Sequence, residues 1–244
     1  MSINSFSSVQ SFVNKKTKAA SIPPTIQAIT NAAAPGPFSP YYYLEPTATT
    51  RSSNNQIIAC TCVITNQTAP YTFLNGTYYM SSSCLPTQAS NGGYLSYAFN
   101  GASSAGILQS PSTYNSSSAA YIGSVSTETS GTTVLGEWMQ IQLPYTLWVT
   151  TYNVFSFVGN NGSTWAQMFP KSFYLCGSNN GTTWTTIDNR LNVTGSTTVG
   201  SNIFTAPAYT QGFRYFRLIG QQIGTGGNLT RMGVALGIQG DYKG

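Results

Sequence analysis

From about residue 55 onward the chain breaks into short β-rich runs separated by Gly, Asn, Ser and Pro every 8–12 residues or so. The runs are 56–65, 76–82, 94–99, 119–125, 137–143, 147–158, 171–177, 183–187, 201–205, 213–220 and 233–239. Many short strands with turn signals at that spacing predict an all-β sandwich. In 137–143, strict alternation sets Glu137, Met139, Ile141 and Leu143 on one face and Trp138, Gln140 and Gln142 on the other. Residues 147–158 are β-branched or aromatic over their whole length and read as a central strand. Residues 213–219 mix arginine with aromatics, which predicts a strand with one semi-polar face. GNNGSTW at 159–165 echoes SNNGTTW at 178–184, and each Asn-Gly predicts a type I′ hairpin turn.

The surface of such a sandwich has almost no charge to draw on. Charged residues make up 6% of the chain, whereas Ser, Thr and Asn account for 81 of its 244 residues. Hydroxyls and amides must therefore cover it. There is no histidine, and the acids are Glu45, Glu128, Glu137, Asp188 and Asp241 alone. Histidine-dependent nucleophilic triads and imidazole metal sites are excluded, and paired-carboxylate chemistry has little to work with. The chain is read as non-enzymatic, with no cofactor and no metal. Cys60, Cys62, Cys84 and Cys176 do not form the two close pairs that a four-cysteine zinc site needs. Cys60 and Cys62, two apart, share a face if they lie on a strand.

The net charge of +5 is clustered only at Lys15, Lys16 and Lys18, a solvated arm more than a nucleic-acid footprint. Residues 1–54 differ in texture from the rest, with Pro23-Pro24, an Ala-rich patch at 32–34, PGPFSP at 35–40 and YYYLEP at 41–46. Proline blocks long helices and sheet centres. The expectation is an extended arm over 1–54, with a short helix near 25–33, followed by a sandwich over 55–244. No run reaches the 20 or so apolar residues of a membrane span, and the N-terminus has no apolar signal core. On that reading the cysteines are buried thiols. The chain would be made in a cytosol yet carry an exterior-type surface, as a virion component does. An extracellular or cell-surface site is the alternative.

Several stretches in order carry a resemblance. NGTYYMSSSC (75–84) and YAFNG (97–101) precede GEWMQIQLP (136–144), FPKSFYLCGSNNGTTWTTID (169–188), GFRYFRLIG (212–220) and ALGIQGDY (235–242). Together they resemble the F5/8 type C, or discoidin-like, domain of the galactose-binding-like β-sandwich superfamily, over about residues 70–242. The resemblance implies a jelly roll in which Trp138, Phe173, Leu175 and Trp184 are structural, and in which Arg214 and Arg217 anchor carbonyls near the core. It also implies a ligand end built from loops at about 85–93, 102–118 and 159–170. The candidate ligand residues there are Trp165, Asn160, Asn161, Gln167, Tyr114 and Asn115. A flat aromatic face beside amides suits a pyranose, which has one apolar side and a hydroxylated rim. The sequence departs from the coagulation-type members, since no cysteine stands near residue 242. Sequons at Asn66, Asn75, Asn115, Asn161, Asn180, Asn192 and Asn228 are what an Asn-, Ser- and Thr-rich chain produces by chance.

Two functions follow. The main expectation is a minor capsid or capsid-associated protein of a large DNA virus, contacting other virion proteins through the arm and the sandwich. The alternative is a lectin-like module that recognises glycans at the loop end.

Overall fold

The computed structural model describes residues 25–26, 48–51, 57–64, 76–83, 95–99, 107–108, 112–155, 165–195, 202–208, 210–224 and 230–243. In chain order the strands are β1 (Thr25–Ile26), β2 (Ala48–Arg51), β3 (Ile57–Ile64), β4 (Gly76–Ser82), β5 (Ile107–Leu108), β6 (Ser126–Thr129) and β7 (Thr132–Leu135). They continue as β8 (Glu137–Phe155), β9 (Pro170–Ser178), β10 (Thr185–Arg190), β11 (Ile203–Thr205), β12 (Phe213–Ile223) and β13 (Gly233–Lys243). Two short 3-10 turns, Leu95–Phe99 and Trp165–Met168, complete the described elements.

The fold is the all-β sandwich that the punctuation predicts, and β8 joins its two layers. The first half of β8 lies in a layer ordered β10-β9-β12-β8-β4-β3-β2. Its second half pairs with β11 on one side and β13 on the other, and β13 carries β1 and β5. The expected runs 137–143 and 147–158 are thus one strand. The sequence places a proline between them, and the register shows how it is tolerated. Gln142 opposes Tyr215 while Leu147 opposes Phe213, so β8 bulges out between these pairs, and Pro144 sits where no regular ladder bond is needed. Gly76 begins β4 against this bulge at φ +146, and a side chain there would strike the Pro144 ring.

Alternation builds the core as expected. Met139, Ile141 and Leu143 are fully buried from β8, and Phe173 and Leu175 from β9. A second bulge, where Gln239 opposes Thr151 and Gly240 opposes Val149, shifts the inward phase of β8 from Leu147 and Val149 to Tyr152 and Val154. The layers meet through aromatic edges: Tyr152 to Phe173 at 6.4 Å and Phe173 to Phe204 at 5.7 Å between ring centroids. The Tyr152 hydroxyl crosses the gap to donate to Asp188 Oδ2 at 2.7 Å. Asp188 also pairs with Arg190 at 2.7 Å, and Arg190 lies 5.0 Å over the Phe204 ring.

Several expectations need correction. Residues 95–99 form a 3-10 turn, not a strand. Within 119–125, only Ala120 and Tyr121 make isolated bridges. Thr25–Ile26 are a strand on β13, so the expected helix over 25–33 does not begin there. Ala48–Arg51 pair with β3, which brings the end of the expected arm into the sheet. At 178–184 the turn is not type I′, because Gly181 is at φ +74 but Asn180 is not left-handed. Asn180 instead folds the loop with its side chain, as Oδ1 accepts from the N–H groups of Thr182 and Thr183 at 2.9 and 2.8 Å. The 159–164 copy of this motif lies outside the described residues. A true type I′ turn occurs elsewhere, at Ser130 (φ 48) and Gly131 (φ 77), joining β6 to β7.

Candidate functional site

Of the loops expected to form a ligand end, the described parts 112–118 and 165–170 meet around the last residues of β12, and 85–93 lies outside the described residues. The Tyr121 N–H donates to the Gln221 carbonyl at 2.8 Å, and the Ile223 N–H to the Ala119 carbonyl at 3.0 Å. The Gly224 N–H donates to the Phe169 carbonyl at 3.0 Å, which seats the segment after the 3-10 turn Trp165–Met168 on the same strand end. The N–H groups of Thr113 and Tyr114 both donate to the Thr230 carbonyl at 3.1 Å. Segments 112–122, 165–170, 221–224 and 230–231 therefore form one end of the sandwich.

Within that end, Asn115 organises a turn. Its Oδ1 accepts from the N–H groups of Ser117 and Ser118 at 2.9 and 2.8 Å, holding exposed Ser116, Ser117 and Ser118 at the tip. Gln222 ties the tip to the sheet. Its Nε2 donates to the Ser118 carbonyl at 3.1 Å, while its Oε1 accepts from Ser172 Oγ at 3.2 Å. Gln167 is half-buried, and its Oε1 is shielded with no hydrogen-bond partner among the described residues. Lys171 and Arg231 are the cations at or next to these segments, and no carboxylate stands in them. Among the described residues, no group of three or more His, Cys, Asp or Glu could hold a metal ion. The end offers amides, hydroxyls and carbonyls: groups that can orient a neutral polar ligand but supply no acid–base pair.

The six expected ligand residues divide. Gln167 and Asn115 stand in this end. Trp165 heads the 3-10 turn that leads into it. Asn160 and Asn161 lie outside the described residues. Tyr114 is a correction: at 1% exposure it belongs to the core, where its hydroxyl donates to the Gly220 carbonyl at 2.9 Å and its ring meets Tyr121 at 5.4 Å. The sequence reading missed Gln222 and Ser118. Only the tertiary pairing of Ala120 with Gln222 brings them together.

Of the expected structural residues, Phe173 and Trp184 are buried, and Trp138 is partly buried. Arg214 is exposed, and it is its backbone N–H that bonds, donating to Asn179 Oδ1 at 3.1 Å; the expected carbonyl anchor is corrected. Arg217 is anchored, but not by carbonyls. Its guanidinium carbon lies 4.0 Å from the Trp138 ring centroid and 4.1 Å from that of Trp184, one indole on each side. Nε and Nη2 both donate to Gln140 Oε1 at 3.1 and 2.7 Å, and Nη1 donates to Thr127 Oγ1 at 2.8 Å. Burial lowers its pKa to about 10, so it stays a cation at neutral pH. This stack and the β6–β7 hairpin above it form a second small core with Val134, Cys176 and Ile219 on the outer face of the first layer. Burial pushes the Cys176 thiol up to about 11.

No protein-family model matches the sequence, and no curated protein matches it. Solved structures similar to the chain include CpGH89CBM32-5 from Clostridium perfringens, in complex with GalNAc-β-1,3-galactose. It is 10% identical, with 66% of this chain and 94% of that one covered and a TM-score of 0.46. The family 32 carbohydrate-binding module of Clostridium perfringens NanJ, in complex with galactose, is 12% identical, with 66% and 93% covered and a TM-score of 0.40. A fragment of a chitobiase-type protein from Bacteroides thetaiotaomicron is 10% identical, with 62% and 77% covered and a TM-score of 0.44.

Proposed function

We propose that the chain is a non-catalytic binding module that holds a neutral glycan at the loop end of its sandwich. The observation that carries this reading is the amide-rich, carboxylate-free end itself. Gln167 Oε1 lies shielded with no described partner, the same end carries the serine tip held by Asn115 and Gln222, and no carboxylate stands in the segments. A desolvated amide oxygen without a partner is costly, of order 1–3 kcal/mol, and turning it out to a ligand hydroxyl would relieve that cost. The sequence puts Trp165, Asn160 and Asn161, an aromatic residue and two further amides, in the same connection between β8 and β9. No observation among the described residues favours the capsid reading; of the expected arm, Thr25–Ile26 pair with the chain's own β13.

A glycan array tests the proposal. Specific signal is expected for the intact chain, with loss in Trp165→Ala and in Gln167→Ala at unchanged melting temperature. Signal that persists in both variants would place recognition elsewhere.

A further inference from the structure

The SNNGTTW turn at 178–184 contains one of the chain's five Asn-Gly pairs, the one whose two residues are both described. Asn-Gly is the dipeptide in which a backbone nitrogen most readily attacks the side chain before it, because glycine has no Cβ to hinder the approach. Closing the five-membered ring needs only rotation within Asn180. The turn surrounds this pair with the groups the reaction uses. The Gly181 N–H donates to Ser178 Oγ at 2.9 Å, and the Ser178 hydroxyl donates to Asn180 Oδ1 at 3.1 Å. Oδ1 also accepts from the N–H groups of Thr182 and Thr183 at 2.9 and 2.8 Å. Asn180 Nδ2 is turned to Thr183 Oγ1 at 3.4 Å. Asn180 is exposed and open to water, while Ser178 is buried beneath it.

Hydrogen bonds that only fix a ground state slow a reaction, whereas bonds that strengthen as charge develops speed it. These contacts are of the second kind. Attack on Cγ places negative charge on Oδ1, where two backbone N–H groups and one hydroxyl already point. Attack also requires the Gly181 nitrogen to give up its proton. Ser178 Oγ faces that proton and directs its own at Oδ1, so one hydroxyl takes a proton from the nucleophile and passes another to the oxygen.

We propose that Asn180 is a self-modification site, which the folded turn converts to aspartate or isoaspartate. The Gly181 nitrogen bonds to Asn180 Cγ as its proton passes to Ser178 Oγ and the Ser178 hydroxyl proton passes to Oδ1. That proton then moves to Nδ2, the Cγ–Nδ2 bond breaks, ammonia leaves and the carbonyl reforms, giving a succinimide. Water adds to the ring and opens it at one carbonyl or the other, leaving one new carboxylate at position 180. The change falls at the end of the sandwich opposite the loop end, since Ser178 opposes Tyr215 whereas Pro170 opposes Ile223.

Timed peptide mapping of the full chain in neutral buffer, folded and unfolded in guanidinium chloride, tests it, with isoaspartyl methyltransferase counting the isoaspartate. Asn180 should lose ammonia about tenfold or more faster in the folded chain than in the unfolded one. Ser178→Ala should bring the folded rate down to the unfolded rate with melting unchanged. The proposal is overturned if the folded chain reacts no faster than the unfolded one, which would make the turn a lock on Asn180. It is also overturned if folded Ser178→Ala reacts as fast as the intact chain. If Ser178→Ala does not fold, the comparison of folded and unfolded intact chain decides alone.

Discussion

At the scale of single residues, Arg217 and the Asp188–Arg190 pair are charges held on several sides. Arg217 is the clearest case. A desolvated cation–π contact is worth about 2 kcal/mol, and two indoles contribute here. Lysine keeps the charge but cannot fill the planar gap between the rings while bonding Gln140 twice. Arg217→Lys should therefore destabilise the fold by about 2 kcal/mol or more in urea denaturation. A loss within a few tenths would show that the stack is incidental. Cys176 gives a pH signature. Its thiol titrates near 9.0 when unperturbed and near 11 when buried, so the unfolded chain loses its proton first. Stability from this group is complete below pH 9, declines as pH rises toward 11, and amounts to about 2–3 kcal/mol. Between pH 9 and 10, before the buried tyrosines add their own share, Cys176→Ala should show a flatter decline than the intact chain. Residue roles were unevenly legible in the sequence. Alternation reveals that Met139, Ile141 and Leu143 point inward. It cannot reveal that Tyr114 is core, because a tyrosine suits either a binding surface or a buried site with one carbonyl in reach. Nor does it separate Arg214 from Arg217, since a bulge between Phe213 and Tyr215 breaks the phase.

At the scale of elements, strand starts were found within two residues, β10, β12 and β13 run three or four residues past their expected ends, and the misses have physical causes. The 94–99 run is apolar enough for a strand, but it closes a 3-10 turn whose Leu95, Ala98 and Phe99 enter the core. The β6–β7 hairpin was missed because its strands have only four residues each; Ser130-Gly131 was the available signal. That hairpin roofs the Arg217 stack and is pinned to it, with the Ser130 N–H donating to the Trp184 carbonyl at 3.1 Å and Thr129 Oγ1 lying 3.0 Å from Thr186 Oγ1. Glycine substitutions separate conformational strain from collision. Gly131 (φ +77) has open space around it, so Gly131→Ala should cost only the left-handed penalty, about 1–2 kcal/mol. A Cβ on Gly240 would run into the Trp148 carbonyl at the β8–β13 bulge, so Gly240→Ala should cost about 3 kcal/mol or more. Thermal melts of the two variants should rank in that order, and equal losses would contradict the bulge geometry.

At the scale of the whole molecule, scarcity of charge and the sandwich architecture point the same way. Two layers share the strand β8, and their described interior is mostly apolar and aromatic, with Glu137 and Asn153 also buried and the Tyr152–Asp188–Arg190 clasp across one edge. The sequence made the sandwich legible, because turn punctuation and alternation are local properties. The convergence of 112–122, 165–170 and 221–224 was legible only through a resemblance, because it depends on where distant strands end. What the described surface offers is hydroxyls, amides and aromatic rings, the groups on which the proposed binding of a neutral sugar rests. Saturation-transfer NMR on a glycan bound in the array tests that claim most directly. The account predicts transfer from the protein to sugar ring protons, with the anomeric signals unchanged over days. A folded sample that shows no transfer, or new anomeric signals from a cleaved bond, would contradict it.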